Sequence, residues 1–478
     1  MTTKKIHRYP GVKPFETAEK DLFFGRGRDI RDLYDLISLE KLVVLFGKSG
    51  YGKSSILNAG IVPKLVADHE ADEEAYEIIK IRLGAFSEEK KDEKGKVIQA
   101  RNLSPIDFLR HKLNQNTQIQ ADAAFLDNLS PEKTLWHDFK SRQSADKILR
   151  FVLLFDQFEE FFSYPLAEQN AFKQELATVL YENIPQNVRD SANNLDRKSR
   201  VWLARNMDIK IVFAIRADKM NFLHSLADTL PAILHKRYEL KALTSEQAKE
   251  AIVQPASIKG EDFISAAFEY KPAALDKIIA ALTEANSDTK AQGIEAFQLQ
   301  LLCEYLENKV MNGEVPDIDG NGLPDITPET LPVMERLYEE YYHRKLNDLP
   351  QESRLAAQLV LEDGLLAEDS ATGEGRRMSV DSHALLAQFR SKGLKESVLQ
   401  ALANTFLIRP ETNTVGGISY EISHDTLLAP IQKAKAERKA IEEKELLAAQ
   451  AAKDRSEKEK AQKQLRTVQL LLAFAVVA

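Results

Sequence analysis

Residues 41–57, KLVVLFGKSGYGKSSIL, constrain this chain more than any other stretch. Leu42, Val43, Val44, Leu45 and Phe46 form an apolar, β-prone run that predicts a buried strand. Gly47-Lys48-Ser49-Gly50-Tyr51-Gly52-Lys53-Ser54 follows, and Ser55-Ile56-Leu57 opens a helical pattern. This is G-x-x-x-x-G-K-S between a strand and a helix, the context in which such a loop cradles phosphate. Gly47, Gly50 and Gly52 let the backbone turn tightly and approach an anion without a Cβ in the way. Successive N–H groups and the positive end of the following helix face that anion. Lys53 supplies a point charge to β- and γ-phosphates and Ser54 an oxygen for Mg²⁺. Lys48, Ser49, Tyr51 and Ser55 complete the loop, and the stretch predicts a nucleoside triphosphate site.

Two further apolar runs end in residues that suit this chemistry. Residues 148–162, ILRFVLLFDQFEEFF, predict a strand tipped by Asp156, about a hundred residues beyond the loop. A carboxylate at such a tip holds Mg²⁺, often through water. If a helix begins after the strand, spacings of three and four return Glu159 and Glu160 to the face of Asp156. Either then orients a water for attack on a γ-phosphate, or both simply open a helix whose dipole favours acidic residues. Gln157 stands where many such ATPases carry Glu, which argues against rapid hydrolysis. Residues 209–215, IKIVFAI, predict another strand, ending in Arg216-Ala217-Asp218. Ligands bind beyond the carboxyl ends of strands in open α/β sheets, so Arg216 is placed to touch a γ-phosphate or to pair with Asp218. Residues 76–83 predict one more strand. Ahead of the loop, Phe23-Phe24-Gly25-Arg26 precedes a helical pattern through Ile30, Leu33, Leu36 and Ile37. Its aromatic pair and Arg26 suit a purine and its ribose, or a helix start with core aromatics.

The remainder is predominantly helical. Thr244-Ser245-Glu246-Gln247 reads as a helix cap, with Pro255 ending that helix. Residues 312–329 form a Gly/Pro-rich connector. Within it Asp317-Ile318-Asp319-Gly320-Asn321-Gly322 imitates the start of a calcium loop. The twelfth position is Pro328 rather than the bidentate Glu required, which predicts a turn. Helical segments at 333–346, 353–366 and 394–403 precede strand-like pieces at 406–409 and 418–422, with a turn-rich stretch, 410–417, between them. This pattern predicts a winged helix. The 394–403 helix offers only Lys395 as a base-reading cation, so nucleic acid is not favoured as a partner. Residues 433–466 predict a long charged helix. Its apolar stripe (Ile441, Leu447, Ala448, Ala451) is thin for a coiled coil.

At 478 residues the chain accommodates two to four domains. A net charge of -8 gives no general pull toward nucleic acid. One cysteine, Cys303, excludes an internal disulfide framework and any multi-cysteine metal site. It falls in a helical run, which predicts a buried core thiol. Residues 1–14 contain no apolar signal-peptide region. Residues 470–478 are apolar behind a basic flank, yet far short of the roughly twenty needed to cross a bilayer. A basic flank entering an apolar run predicts the start of a transmembrane helix that continues in a longer parent protein, with the preceding domains at the inner face of the cell membrane.

Taken in order, YPGVKPF (residues 9–15), FFGR, FGKSGYGKSS, FDQFEEFF, AIRAD, LTSEQAKEAIVQPA and SHDTLL resemble the STAND class of signal-transduction NTPases. The similarity is strongest to the novel STAND group found largely in prokaryotes. The resemblance implies an α/β P-loop NTPase core with a parallel sheet (1–240), an α-helical lid (241–312), a winged-helix domain (326–432) and a long C-terminal helix (433–478). It implies ATP/ADP and Mg²⁺ as ligands, with Lys53 and Ser54 at the triphosphate and Asp156 as the metal carboxylate. Arg216 resembles the sensor Arg, Phe24-Gly25-Arg26 the adenine-side element and Pro255 the lid proline near the base. His424 and Asp425 resemble the winged-helix pair that holds the diphosphate-bound, closed form. A switch that self-associates on activation, with slow ATP hydrolysis, is the implied function. A non-hydrolysing nucleotide-binding scaffold and a DNA-binding regulator are the alternatives. Gln157 and Gly27 depart from the family pattern.

Overall fold

The computed structural model describes residues 5–71, 75–86, 90–91, 97–99, 101–115, 126, 129, 133–143, 149–182, 184–192, 195–284, 293–368, 373, 375–412 and 418–477. Two compact units are present. One comprises Met1–Leu337, Asp381–Ala384 and Arg409–Tyr420; the other comprises Tyr338–Val380, Leu385–Ile408 and Glu421–Ala478.

A five-stranded sheet organises the first unit. Its strands are β1 (Leu42–Gly47), β2 (Ala75–Ile81), β3 (Leu149–Phe155), β4 (Asp208–Arg216) and β5 (Arg237–Glu239), in the order β2-β3-β4-β1-β5. Every pairing is parallel. Alternate residues therefore enter two different cores. Leu42, Val44, Phe151, Leu153, Ile211 and Phe213 pack on one face. Val43, Leu45, Val152, Leu154, Val212 and Ala214 pack on the other. Burial on both faces explains why these strands read as unbroken apolar runs. The short edge strand β5 lies where the sequence shows only a change of texture.

Beyond the sheet, α1 spans Gly27–Leu39. The helix after the phosphate loop, α2, starts at Lys53–Ser55, passes through a π-helical stretch, Ile56–Ile61, and continues as Val62–Ala71. Helices α3 (Ser245–Ser257), α4 (Pro272–Glu284) and α5 (Ala296–Met311) follow. Thr244 and Gln247 form the expected reciprocal cap on α3. Pro255 does not end that helix, which runs on to Ser257. In the last turn Pro forfeits a single backbone bond, and the carbonyls at the helix end find a side-chain donor. Arg8 Nη1 donates to the carbonyls of Pro255 at 2.9 Å and Ile258 at 2.6 Å. Cys303 is buried in α5, and burial raises its thiol pKa.

The calcium-loop look-alike spends its carboxylates on its own backbone. Asp317 accepts from the amides of Gly320 and Gly322, and Asp319 accepts from Asn321. Glu269, Asp319 and Asp325 do converge, but the Lys271 ammonium pairs with all three.

The second unit contains the helix Gln351–Leu359 and its π-helical extension Val360–Gly364, the helix Glu396–Asn404, and a long terminal helix. A three-stranded sheet, β6 (Val380–Asp381), β7 (Ile408–Thr412) and β8 (Ile418–Ile422), is ordered β6-β8-β7, and most of its residues are assigned to the first unit. Pro410 and Glu411 thus lie inside a strand rather than in a turn. Strand β7 is at the edge, where the missing N–H of proline costs no ladder bond. The long helix runs Leu428–Val477, 50 residues or about 75 Å. Its first turns are anchored by buried Ile431 and Ala434, while Ile441, Leu446 and Leu447 are each 59% exposed. Among the described residues no helix is long and apolar enough to cross a membrane.

Candidate functional site

Strand β1 delivers the loop. Gly50 and Gly52 adopt φ of 82° and 93°, left-handed conformations that a side chain would strain. The Lys53 ammonium folds back over the loop, donating to the carbonyls of Gly47 at 2.8 Å and Lys48 at 3.0 Å. Burial lowers its pKa to about 8, a shift opposed by Glu159 and Asp156 and reinforced by Arg216. Lys53, Asp156, Glu159 and Arg216 therefore share one electrostatic site. Gly47 has a second reason to lack a side chain: a Cβ there would meet the Leu240 carbonyl oxygen at 2.4 Å. Lys48 and Gly50 are exposed, Ser49 and Ser54 half-buried. The Ser55 hydroxyl accepts from the amide of Phe15 at 3.2 Å, so it ties the N-terminal segment to α2.

The segment after β3 is set by aromatic anchors. Gln157 takes a left-handed turn, φ 51°, and Phe158 drops into the core against Phe213 with ring centroids 4.1 Å apart. A 3₁₀ helix, Phe158–Ser163, follows instead of an α-helix. The tighter geometry separates the two acids that an α-helical spacing would have brought to one face. Glu159 accepts from the Arg216 amide at 3.4 Å, and burial raises its pKa despite the nearby Lys53. Glu160 turns elsewhere, accepting from the Gly84 amide at 3.0 Å and pairing with Arg82 at 3.5 Å. Burial pushes it up to about 7. Asp156 is half-buried at the strand tip.

Arg216 closes β4 in register with Gly47 on β1. Asp218 grips it twice, at Nε (3.0 Å) and Nη2 (2.8 Å). Its Nη1 bonds Glu411, and Glu411 also meets Lys219 at 3.5 Å and Arg409 at 3.3 Å. Glu411 lies in a stretch that reads as a turn, with no pattern to mark it as part of a site. Lys219, directly after Arg216-Ala217-Asp218, was open to notice as a second cation on that tip.

Ahead of α1, Arg26 is buried and acts as a staple. Its Nη2 donates at 2.9 Å to both the Tyr51 carbonyl in the loop and the Lys241 carbonyl, while Nη1 pairs with Asp29 at 3.0 Å. Burial lowers its pKa. A Cβ on Gly25, φ 79°, would meet the Gln247 carbonyl at 2.3 Å, so this glycine lets α3 approach. Phe24 is half-buried. Pro255 is buried on α3, held through its carbonyl by Arg8. In the second unit the His424 ring nitrogen Nδ1 lies 2.9 Å from the Thr426 hydroxyl, and Asp425 pairs with Arg377 at 2.6 Å.

These residues fit a magnesium nucleotide. The loop supplies amides and a desolvated ammonium that satisfies itself on its own carbonyls, so an anion is the partner its chemistry lacks. Ser54 and Asp156 would supply the oxygen donors if a metal were bound.

Residues 9–288 match the family model described as Novel STAND NTPase 1. No curated protein matches the chain. Similar solved structures include the Orc1 protein of Aeropyrum pernix in complex with DNA, at 12% identity over 87% of this chain and 93% of that one, TM-score 0.43. The Walker-type ATPase of Pyrococcus abyssi is 13% identical over 88% of this chain and 99% of that one, TM-score 0.39. Cdc6p from Pyrobaculum aerophilum is 14% identical over 90% and 97%, TM-score 0.37. With its phosphate loop and more than half its length inside the family model, this chain belongs to the Novel STAND NTPase 1 family.

Proposed function

We propose that this protein is an ATP-operated signalling switch with slow ATPase activity. In this reading ADP favours a closed form and ATP with Mg²⁺ an open, self-associating form. The long helix would relay the change to a downstream effector or a membrane segment. The observation that carries the reading is the convergence of Lys53, Asp156, Glu159 and Arg216 on one electrostatic site. Lys53 binds the β- and γ-phosphates, and loop amides around Gly50 and Gly52 bind the remaining phosphate oxygens. Ser54 and Asp156 hold Mg²⁺, which neutralises charge on the transferred phosphoryl group when bound. Glu159 orients the attacking water, whereas Glu160, held by Gly84 and Arg82, takes no part. Gln157 cannot act as a base, which supports slow turnover and a long-lived ATP state. Arg216 reads the γ-phosphate; Phe24, Gly25, Arg26 and Pro255 frame the base side; His424 and Asp425 favour the ADP form. Only a ligand with different affinities for two forms can shift their balance.

The test is calorimetry with ADP and a non-hydrolysable ATP analogue, joined to light scattering in each state. Wild type should bind both and enlarge only with the analogue, while Lys53→Ala should lose binding. Unchanged affinity in Lys53→Ala would overturn the assignment. A single-turnover phosphate-release assay separates the switch from a scaffold that never hydrolyses.

A further inference from the structure

Three cations surround one carboxylate beside the phosphate loop. Glu411 is 8% exposed, and Arg216, Lys219 and Arg409 all contact it. A buried carboxylate needs paired, hydrogen-bonding partners, but one guanidinium already supplies them. Glu411, Arg216 and Lys219 line a cavity of about 20 Å³ together with Gln157 and with Glu159, the acid assigned above to hydrolysis.

The contacts of Arg216 are divided. Asp218 occupies Nε and Nη2 and fixes the plane of the guanidinium. Glu411 occupies Nη1. Phosphate and carboxylate oxygens bind a guanidinium through the same donor geometry. We propose that Glu411 is an internal anion that holds Arg216 in place of a γ-phosphate, so that a triphosphate, and not a diphosphate, displaces the Glu411 carboxylate. This rests on the nucleotide-switch reading and deepens it. A diphosphate lacks the group that competes for Nη1, so it leaves the latch closed. A triphosphate exchanges one Arg216 partner for another and frees Glu411. Differential affinity of this kind is what a nucleotide switch requires. The carboxylate is tethered, so its effective concentration at Arg216 suppresses triphosphate binding in the latched form.

The test measures affinities of Glu411→Gln for ADP and for a non-hydrolysable ATP analogue, both with Mg²⁺. The analogue should bind roughly tenfold tighter than to wild type, with ADP unchanged within about twofold. Glu411→Asp, charged but shorter, should fall between, and serves if the Gln variant folds poorly by circular dichroism. In an Arg216→Ala background the Glu411→Gln effect should vanish. Equal shifts for both nucleotides, no shift, or persistence of the effect without Arg216 would each overturn the latch. If wild type binds through Lys53 and Glu411→Gln changes nothing, the latch fails and the switch reading stands. If Lys53→Ala binds as tightly as wild type, the switch reading itself fails.

Discussion

Glu159 accepts a hydrogen bond from the Arg216 amide at 3.4 Å, joining the turn after one strand to the end of the next. The same carboxylate is the foremost opposing charge on the Lys53 ammonium. It is two residues past Gln157, the position where many such ATPases carry Glu. Glu159→Gln should therefore slow phosphate release by about 10²–10⁴-fold, the usual contribution of a positioned base. ADP affinity should change little, because the Gln amide keeps the shape of the site. Single-turnover phosphate release beside ADP titration checks both halves. An unaltered hydrolysis rate would remove Glu159 from the mechanism.

Gly25 and Arg26 are expected to act through structure before chemistry. Gly25→Ala forces a Cβ against the Gln247 carbonyl at 2.3 Å in a left-handed conformation. Arg26→Ala leaves the Tyr51 and Lys241 carbonyls without their donor. Each should cost about 1–3 kcal/mol. Because Tyr51 belongs to the phosphate loop, Arg26→Ala should also weaken ADP and ATP equally. Thermal unfolding and paired titrations measure this; a loss specific to adenine over guanine nucleotides would instead mark Arg26 as a base contact.

The sheet and its loop were legible because short-range rules set them. An apolar run before 47-GKSGYGKS-54 can hardly be anything but a buried strand meeting an anion cradle. The tips Asp156 and Arg216 were legible as well, each a polar residue ending such a run. Strand β5 was not, since three residues carry too little pattern. The divergence of Glu159 and Glu160 was hidden because it depends on Gln157 taking φ 51° and Phe158 packing against Phe213, a tertiary contact. Glu411 was hidden for the same reason: its three cations come from positions 216, 219 and 409.

Glu160 carries a pH signature. Burial raises its pKa from 4.5 to about 7, so the folded protein holds that proton more tightly than the unfolded chain. Its contribution favours folding below about pH 4.5 and is lost as pH rises through 7. Glu160→Gln keeps an acceptor for the Gly84 amide without the titration. Relative to wild type it should gain about 1–3 kcal/mol between pH 5 and pH 8. Thermal midpoints at these two pH values decide it; parallel curves would show that Arg82 already compensates the buried charge.

Arg438 anchors the long helix. It meets Glu362, wholly buried, at 2.6 Å, and Asp363 at 2.6 Å. Glu362 also accepts from Tyr342 at 3.2 Å and Gln358 at 2.8 Å. Removing the guanidinium leaves a buried carboxylate without its cation, a change that costs about 3–5 kcal/mol. Arg438→Ala should accordingly speed amide exchange in the first turns after Leu428, with the helix beyond Ile441, already exposed, unaffected. Adding Glu362→Gln should restore much of the protection, because the orphaned charge is then gone. If the single variant exchanges like wild type, the pair does not fasten the helix, and the buried Ile431 and Ala434 hold it alone.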